Sequence, residues 1–147
     1  MKKNGQTLIE LIIALGVGII ILSSIVAVVL LSLHSAQFAK SQNLATQYAQ
    51  EGMEVVRTIK NRSWTEFSAL TAVDYCLAKN ETSLSTKPVG GSCPTIDIIF
   101  TREVKVEWIG ANCTAQRVCV TTTVFWLDSK GRHESKLFSY FARTSSL

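Results

Sequence analysis

The chain of 147 residues has little of what catalytic and metal sites are usually built from. Its two histidines, His34 and His133, are far apart and neither has a cysteine near it in sequence, so no metal cluster is indicated. No Gly-x-Ser-x-Gly elbow or comparable arrangement places a serine nucleophile, and neither enzyme activity nor a cofactor is expected. The four cysteines, Cys76, Cys93, Cys113 and Cys119, are separated by 16, 19 and 5 residues and lack the close pairs of a structural zinc site. No basic run with interleaved aromatics marks a nucleic-acid surface, and no internal repeat is seen. The largest absence is of charge: none of the 23 positions from Leu11 to Leu33 carries one.

Those 23 positions hold only Leu, Ile, Val, Ala, Gly and three serines. As a helix the run is about 34 Å long, against a hydrocarbon core of about 30 Å, so it is able to span a bilayer. Lys2 and Lys3 precede it, and no acid stands before Glu10. That bias places the N-terminus in the cytoplasm and the rest of the chain outside. A secretory signal peptide would have an apolar part of about 7–15 residues ending in a small-x-small cleavage site. Here the run is longer, and His34 and Gln37 flank the only exit, around Ala36.

Glu10 is the informative residue. A carboxylate carried toward the bilayer centre costs about 2.5 kcal/mol or more, less near the interface, so a compensating partner is expected. Lys2-Lys3-Asn4-Gly5, then Gln6-Thr7-Leu8-Ile9-Glu10-Leu11 and the long apolar run, resembles the class III leader of type IV pilins and the related pseudopilins of type II secretion. The resemblance implies that a prepilin peptidase cuts after Gly5 and N-methylates Gln6, and that Glu10 is the glutamate of filament assembly. Gln6 stands where the family most often has Phe, and Ala27 where many members have proline.

Spacing gives this motif a physical logic of its own. Positions i and i+4 share one helix face, so an amine at Gln6 and the carboxylate of Glu10 are one turn apart. In the family's usual account, Glu10 of one subunit meets the amine of the next and sets the axial register. Leaving either charge unpaired among packed apolar helices costs several kcal/mol.

Beyond the run, 13 Lys and Arg stand against 10 Asp and Glu, a weakly basic and mixed surface. From Phe38 to Arg62 a helical period continues without proline: Phe38, Ala45, Gly52 and Ile59 recur every seven residues, with Ser41, Tyr48 and Val55 between them. One helix from Gln6 to about Asn61 is expected. Gly52 in mid-helix costs about 1 kcal/mol relative to alanine, which a close approach by a sheet would justify. The run from Gln50 to Arg57, followed by Trp64, also looks like one seen in minor pilins and pseudopilins. Ser63-Trp64-Thr65-Glu66 fits a capping box and predicts a short second helix to about Thr71. Asp74 to Pro94 reads as a loop with a cysteine near each end.

After Pro94 the period becomes that of strands. Ile96, Ile98, Phe100, Val104, Val106 and Trp108 alternate with Asp97, Glu103, Lys105 and Glu107, and Gly110-Ala111-Asn112 turns the chain. Val118 to Leu127 is a second strand, Asp128-Ser129-Lys130-Gly131 a hairpin turn, and Arg132 to Ala142 a third strand. Trp64, Trp108 and Trp126 are read as core. All four cysteines fall on the extracytoplasmic side, where disulfides persist. Three pairings are open; Cys76 with Cys93, pinning the loop, and Cys113 with Cys119 are favoured.

The expected fold is therefore α+β, with a long N-terminal helix, membrane-spanning in its first half, packed on an antiparallel sheet of about three strands. Residues 1–5 are the leader, 6–33 the membrane or filament-core part, 34–62 the amphipathic part, 63–95 the connecting loop with its short helix, and 96–147 the sheet. The resemblance implies a minor pilin or pseudopilin in the cytoplasmic membrane, later in a filament outside the cell or in the periplasm. Its implied partners are the prepilin peptidase, other pilin subunits, an assembly platform protein and an ATPase, with the lipid bilayer before assembly. A second reading is a tip subunit capturing DNA or a surface ligand through Lys79, Lys87, Lys130, Arg132 and Lys136, and a third is a plain single-span protein in which Glu10 is dispensable.

Overall fold

The computed structural model describes residues 4–108, 113–114 and 117–142, with side chains from Thr7 onward. The turn expected at Gly110-Ala111-Asn112 lies outside the described residues. The elements are α1 (Asn4–Arg62), α2 (Trp64–Ser68), β1 (Asp74–Cys76), β2 (Ser85–Thr86), β3 (Thr95–Ile96), β4 (Phe100–Glu107), β5 (Arg117–Asp128) and β6 (Gly131–Ala142). The fold is α+β, as expected. The chain forms two compact units, Met1–Lys40 and Ser41–Leu147. Their boundary falls inside α1, seven residues past the end of the apolar run.

In the second unit, the strands make one antiparallel sheet in the order β2-β1-β4-β5-β6, with β3 also paired to β4. The sheet thus has six strands rather than about three. Two of the extra strands, β1 and β2, are three and two residues long and lie in the polar stretch read as a loop, too short for a period of two to register; the third arises because the run from Ile96 to Trp108, read as one strand, is broken by the reversal at 97–99 into β3 and β4. β5 and β6 pair over their full twelve residues, from Arg117 opposite Ala142 to Asp128 opposite Gly131.

The inner face of the sheet meets α1 from Ser41 to Arg62. Ala45, Tyr48 and Ala49 pack with Ile96, Phe100, Val124 and Trp126. Farther along, Met53, Val56 and Ile59 pack with Val104, Val106, Val118, Val120 and Phe141. The buried stripe therefore includes Ala49, Met53 and Val56, while Phe38 is 42% exposed and Val55 only partly buried.

At Gly52 the sheet approaches the helix closely. A Cβ there would lie 2.8 Å from Thr122 Cγ2 and 2.9 Å from Arg102 Cδ. The close approach is by side chains of β4 and β5, and it accounts for a helix glycine that propensity alone disfavours.

The N-cap of α2 forms only half of the capping box. The Ser63 hydroxyl accepts from the Glu66 N–H at 3.2 Å, while the Glu66 carboxylate instead accepts from Arg62 Nε and Nη2, at 3.2 and 3.1 Å. The helix ends at Ser68 rather than near Thr71. Phe67, fully buried, packs its ring at tilted angles against Trp64 and Trp108 and edge-on to Phe141. Trp126 is 2% exposed, and Trp64 and Trp108 pack against the core from its edge.

One expected core position is not in the core. Ile98 is 90% exposed and adopts φ 75°, next to Asp97 at φ 44°. The chain reverses tightly between β3 and β4 there, so the alternation that ran through Ile96 and Phe100 is broken at Ile98.

Candidate functional site

The first unit is defined by exposure. Every large aliphatic side chain from Leu11 to Leu33 is between 51% and 67% exposed. The helix carrying them, Thr7–Arg62 as described with side chains, is long and apolar enough to cross a membrane. Burying such side chains is worth about 1.5–3 kcal/mol each, so an apolar environment favours this unit over water.

Within the run, the Ser24 hydroxyl donates to the Ile20 carbonyl at 2.8 Å, and Ser23 donates likewise to Ile19. The two polar side chains are satisfied inside their own helix, as a lipid environment demands. Gly16 and Gly18 have open space where a Cβ would stand. They leave shallow points on the helix surface rather than making room for any part of the same chain.

Glu10 is exposed on the helix at the head of the run. Gly5 and Gln6 are in helical backbone, just before the residues whose side chains are described. With Gln6 and Glu10 in one uninterrupted helix, they are one turn apart on the same face.

In the second unit both cysteine pairs are disulfides: Cys76–Cys93, with Cα atoms 5.2 Å apart, and Cys113–Cys119, at 5.4 Å. The first ties β1 to the segment just before β3, and the second joins the loop before β5 to that strand. Among the described residues no group of three or more histidines, cysteines or acids is arranged to hold a metal ion.

The basic residues of the ligand-capture reading do not gather in one place. Lys87 follows β2 at one edge of the sheet, whereas Arg132 and Lys136 belong to β6 at the other. Three of the five face carboxylates: Lys79 with Asp97 at 2.5 Å, Lys87 with Glu103 at 2.8 Å, and Lys136 with Glu134 at 2.7 Å. Arg132 lies 4.0 Å over the ring of Phe125.

A sixth cation, Arg102, was hidden by its charge. Its position between Phe100 and Val104 on β4 turns it inward, and it is 2% exposed. Its guanidinium donates to the carbonyls of Tyr48 at 2.8 Å, Leu77 at 3.1 Å and Ala78 at 2.8 Å, with Glu51 at 3.5 Å. Burial pushes its pKa below the usual value, and Glu51 opposes the shift. Arg102 clasps α1 to the chain beyond β1, with three N–H donors on carbonyls of its own chain and the Glu51 carboxylate nearby, which gives it a structural role. The alternation of β4 was the signal that could have found it.

Nearby, the Tyr48 hydroxyl and the Lys79 ammonium both donate to the carboxylate of Asp97. The hydrogen bonds from Lys79 and then Tyr48 hold the Asp97 carboxyl below its ordinary pKa, and the bond to Asp97 raises that of Tyr48. This triad fixes the tight reversal between β3 and β4 to the helix.

These features define a class: an α+β protein with one helix long and apolar enough to cross a membrane and a sheet domain tied by two disulfides. Comparison of the chain with protein-family models, with curated proteins and with solved structures finds no match.

Proposed function

We propose that this chain is a structural, non-catalytic subunit of a type IV pilus-like filament, a minor pilin or pseudopilin. The observation that carries the reading is the uncovered apolar run from Leu11 to Leu33, headed by Glu10 one turn beyond Gln6. Such a surface needs lipid first and neighbouring helices later. In this reading the helix sits in the cytoplasmic membrane with its N-terminus inside and the disulfide-tied domain outside. Prepilin peptidase removes Met1 to Gly5 and methylates Gln6. An ATPase and a platform protein then move the subunit into a filament, where helix packing replaces lipid contacts. Glu10 pairs with the amine of the adjacent subunit and so checks register.

The test is the intact mass and N-terminal sequence of the protein taken from cells with and without the peptidase. The expected product starts at Gln6 with one added methyl and disappears when the peptidase is absent. An intact Met1, or a cut near Ala36 that ignores the peptidase, would overturn the reading and leave an anchored or secreted disulfide domain.

A further inference from the structure

The sheet of the second unit ends on β6, and that edge is unguarded. β6 pairs with β5 along one side, and among the described residues no strand pairs with its other side. Natural sheets protect such an edge by keeping it short or by interrupting it with proline, a bulge or a covering element. The opposite edge follows that rule, since β2 has two residues. β6 has twelve, contains no proline, and keeps a single register against β5 from Gly131 to Ala142, without a bulge. At Gly52, α1 lies over β4 and β5, against Arg102 and Thr122. An open cleft lies between Glu54 and Arg57 of the helix and Phe138 and Ser139 of β6.

The hairpin decides which backbone groups face outward. A two-residue loop joins Asp128 to Gly131, which face each other as its closing pair. In such a loop the closing pair is hydrogen-bonded, and bonded and non-bonded pairs alternate from there. The odd-numbered residues of β6 thus turn their N–H and C=O toward β5, and the even-numbered ones turn theirs to the open side. The side chains of those even-numbered residues, Arg132, Glu134, Lys136, Phe138 and Tyr140, are all exposed, on the face away from α1.

Two such edges pair antiparallel with even-numbered residues opposite even-numbered ones, and charge selects the register. Centred on Glu134 or on Lys136, the pairing sets that residue against its own copy, like charge on like charge. Centred on Leu137 or Phe138, it leaves Glu134 facing Tyr140 or Ala142. Centred on His133, it sets Arg132 against Glu134 but overlaps only residues 131–135. Centred on Ser135, it overlaps residues 131–139 and sets Glu134 opposite the partner's Lys136 and Lys136 opposite the partner's Glu134. Arg132 then faces the partner's Phe138, a cation against a ring.

We infer that β6 is a self-pairing edge: two copies of this chain join through antiparallel β6 strands centred on Ser135, forming one sheet continuous across both. The overlap supplies about eight backbone hydrogen bonds. The Lys136–Glu134 ion pair within each chain, at 2.7 Å, becomes half of a square of four alternating charges. With strands about 4.8 Å apart, the two helices stand about 19 Å apart on the same face, wider than a helix diameter of about 10–12 Å. The two-fold axis is perpendicular to the sheet, so the Ser41–Arg62 segments of the two copies run in opposite directions. The contact therefore does not repeat along a filament whose subunits all point one way, and it does not rest on the filament reading.

The test is sedimentation of the full chain in a non-ionic detergent at low salt, over a range of protein concentrations. It compares the parent, Glu134→Lys, Lys136→Glu, and an equimolar mixture of the two variants. The parent should pass from monomer to dimer as concentration rises. Each variant alone sets like charges opposite each other at both pairs, and its dissociation constant should rise by about tenfold or more. In the mixture, unlike chains meet with opposite charges at both pairs, and dimers should return at the parent's concentration. A parent that stays monomeric at every concentration overturns the second copy as occupant and leaves the edge to a strand of another protein. Association that neither substitution weakens belongs to the apolar helices and overturns edge pairing. A mixture no stronger than the variants alone overturns it too, because the charges would then act only within their own chain.

Discussion

Gly52 illustrates how a single residue can carry opposite local and tertiary preferences. On an isolated helix Gly52→Ala would gain about 1 kcal/mol. In the folded chain the new methyl would meet Thr122 Cγ2 at 2.8 Å and Arg102 Cδ at 2.9 Å. Neither neighbour yields cheaply: Thr122 is fully buried, and Arg102 is held by three carbonyls. Overpacking of this kind costs about 1–3 kcal/mol, so Gly52→Ala should leave the denaturation midpoint lower, or at best unchanged, and a higher midpoint would show that the contact is soft. Asp97 gives a prediction in pH. Its folded pKa is depressed, first by Lys79 and then by Tyr48. Its contribution is therefore present above the unfolded value, about 3.9, and is lost as pH falls through the lower folded value. Asp97→Asn should flatten the loss of stability below about pH 4, read as the urea midpoint against pH. An unchanged acid slope would mean that the triad contributes nothing to stability.

Among the elements, the disulfides tie together the strands that are weakest alone. β1, β2 and β3 have three, two and two residues, and short strands are poorly stable without outside support. Cys76–Cys93 closes a separation of 17 residues and Cys113–Cys119 one of 6. On loop entropy alone these are worth about 3 and about 2 kcal/mol. Removal of Cys76 and Cys93 together, as alanines, should therefore cost more than removal of Cys113 and Cys119, since it also frees β1 from the segment before β3. Denaturation of the full chain in detergent, read by far-UV signal, compares the two; the reverse order would place the main constraint at the start of β5. The same elements mark what was legible in the sequence. The long helix and strands β4 to β6 announce themselves because each repeats its period several times. The pairing of Cys76 with Cys93 was favoured from the loop between them. β1 and β2 are shorter than the pattern needed to detect them, β3 was read as continuous with β4 because the reversal at Ile98 is fixed by Tyr48 and Asp97, and Arg102 is buried only because carbonyls from two distant segments converge on it. Such convergence belongs to tertiary structure and leaves no local periodicity. Glu10 was legible for the opposite reason, as a lone charge at the edge of 23 uncharged positions.

At the scale of the whole molecule, the two units pose different solvent problems, and Glu10 decides between explanations of the first. The second unit covers its own core, whereas the aliphatic side chains from Leu11 to Leu33 stay more than half exposed. A plain membrane anchor solves that problem with lipid alone. For such an anchor Glu10 is a cost of up to about 2.5–3.5 kcal/mol, depending on depth, and Glu10→Val should be neutral or should strengthen membrane retention. A filament subunit solves the problem twice, in lipid and then among neighbouring helices, and there the carboxylate has a partner in the amine at Gln6 of another copy. Removing one member of a buried pair costs about 3–5 kcal/mol, at least about a hundredfold in binding. Glu10→Val should therefore be cleaved and should fractionate with the membrane as the parent does, keep both disulfides, and fall at least about a hundredfold in sheared filament material. Both behaviours are read from one preparation, by quantifying the chain in membrane and filament fractions. Filament levels equal to the parent's would reduce Glu10 to an incidental charge and the chain to an anchored disulfide domain.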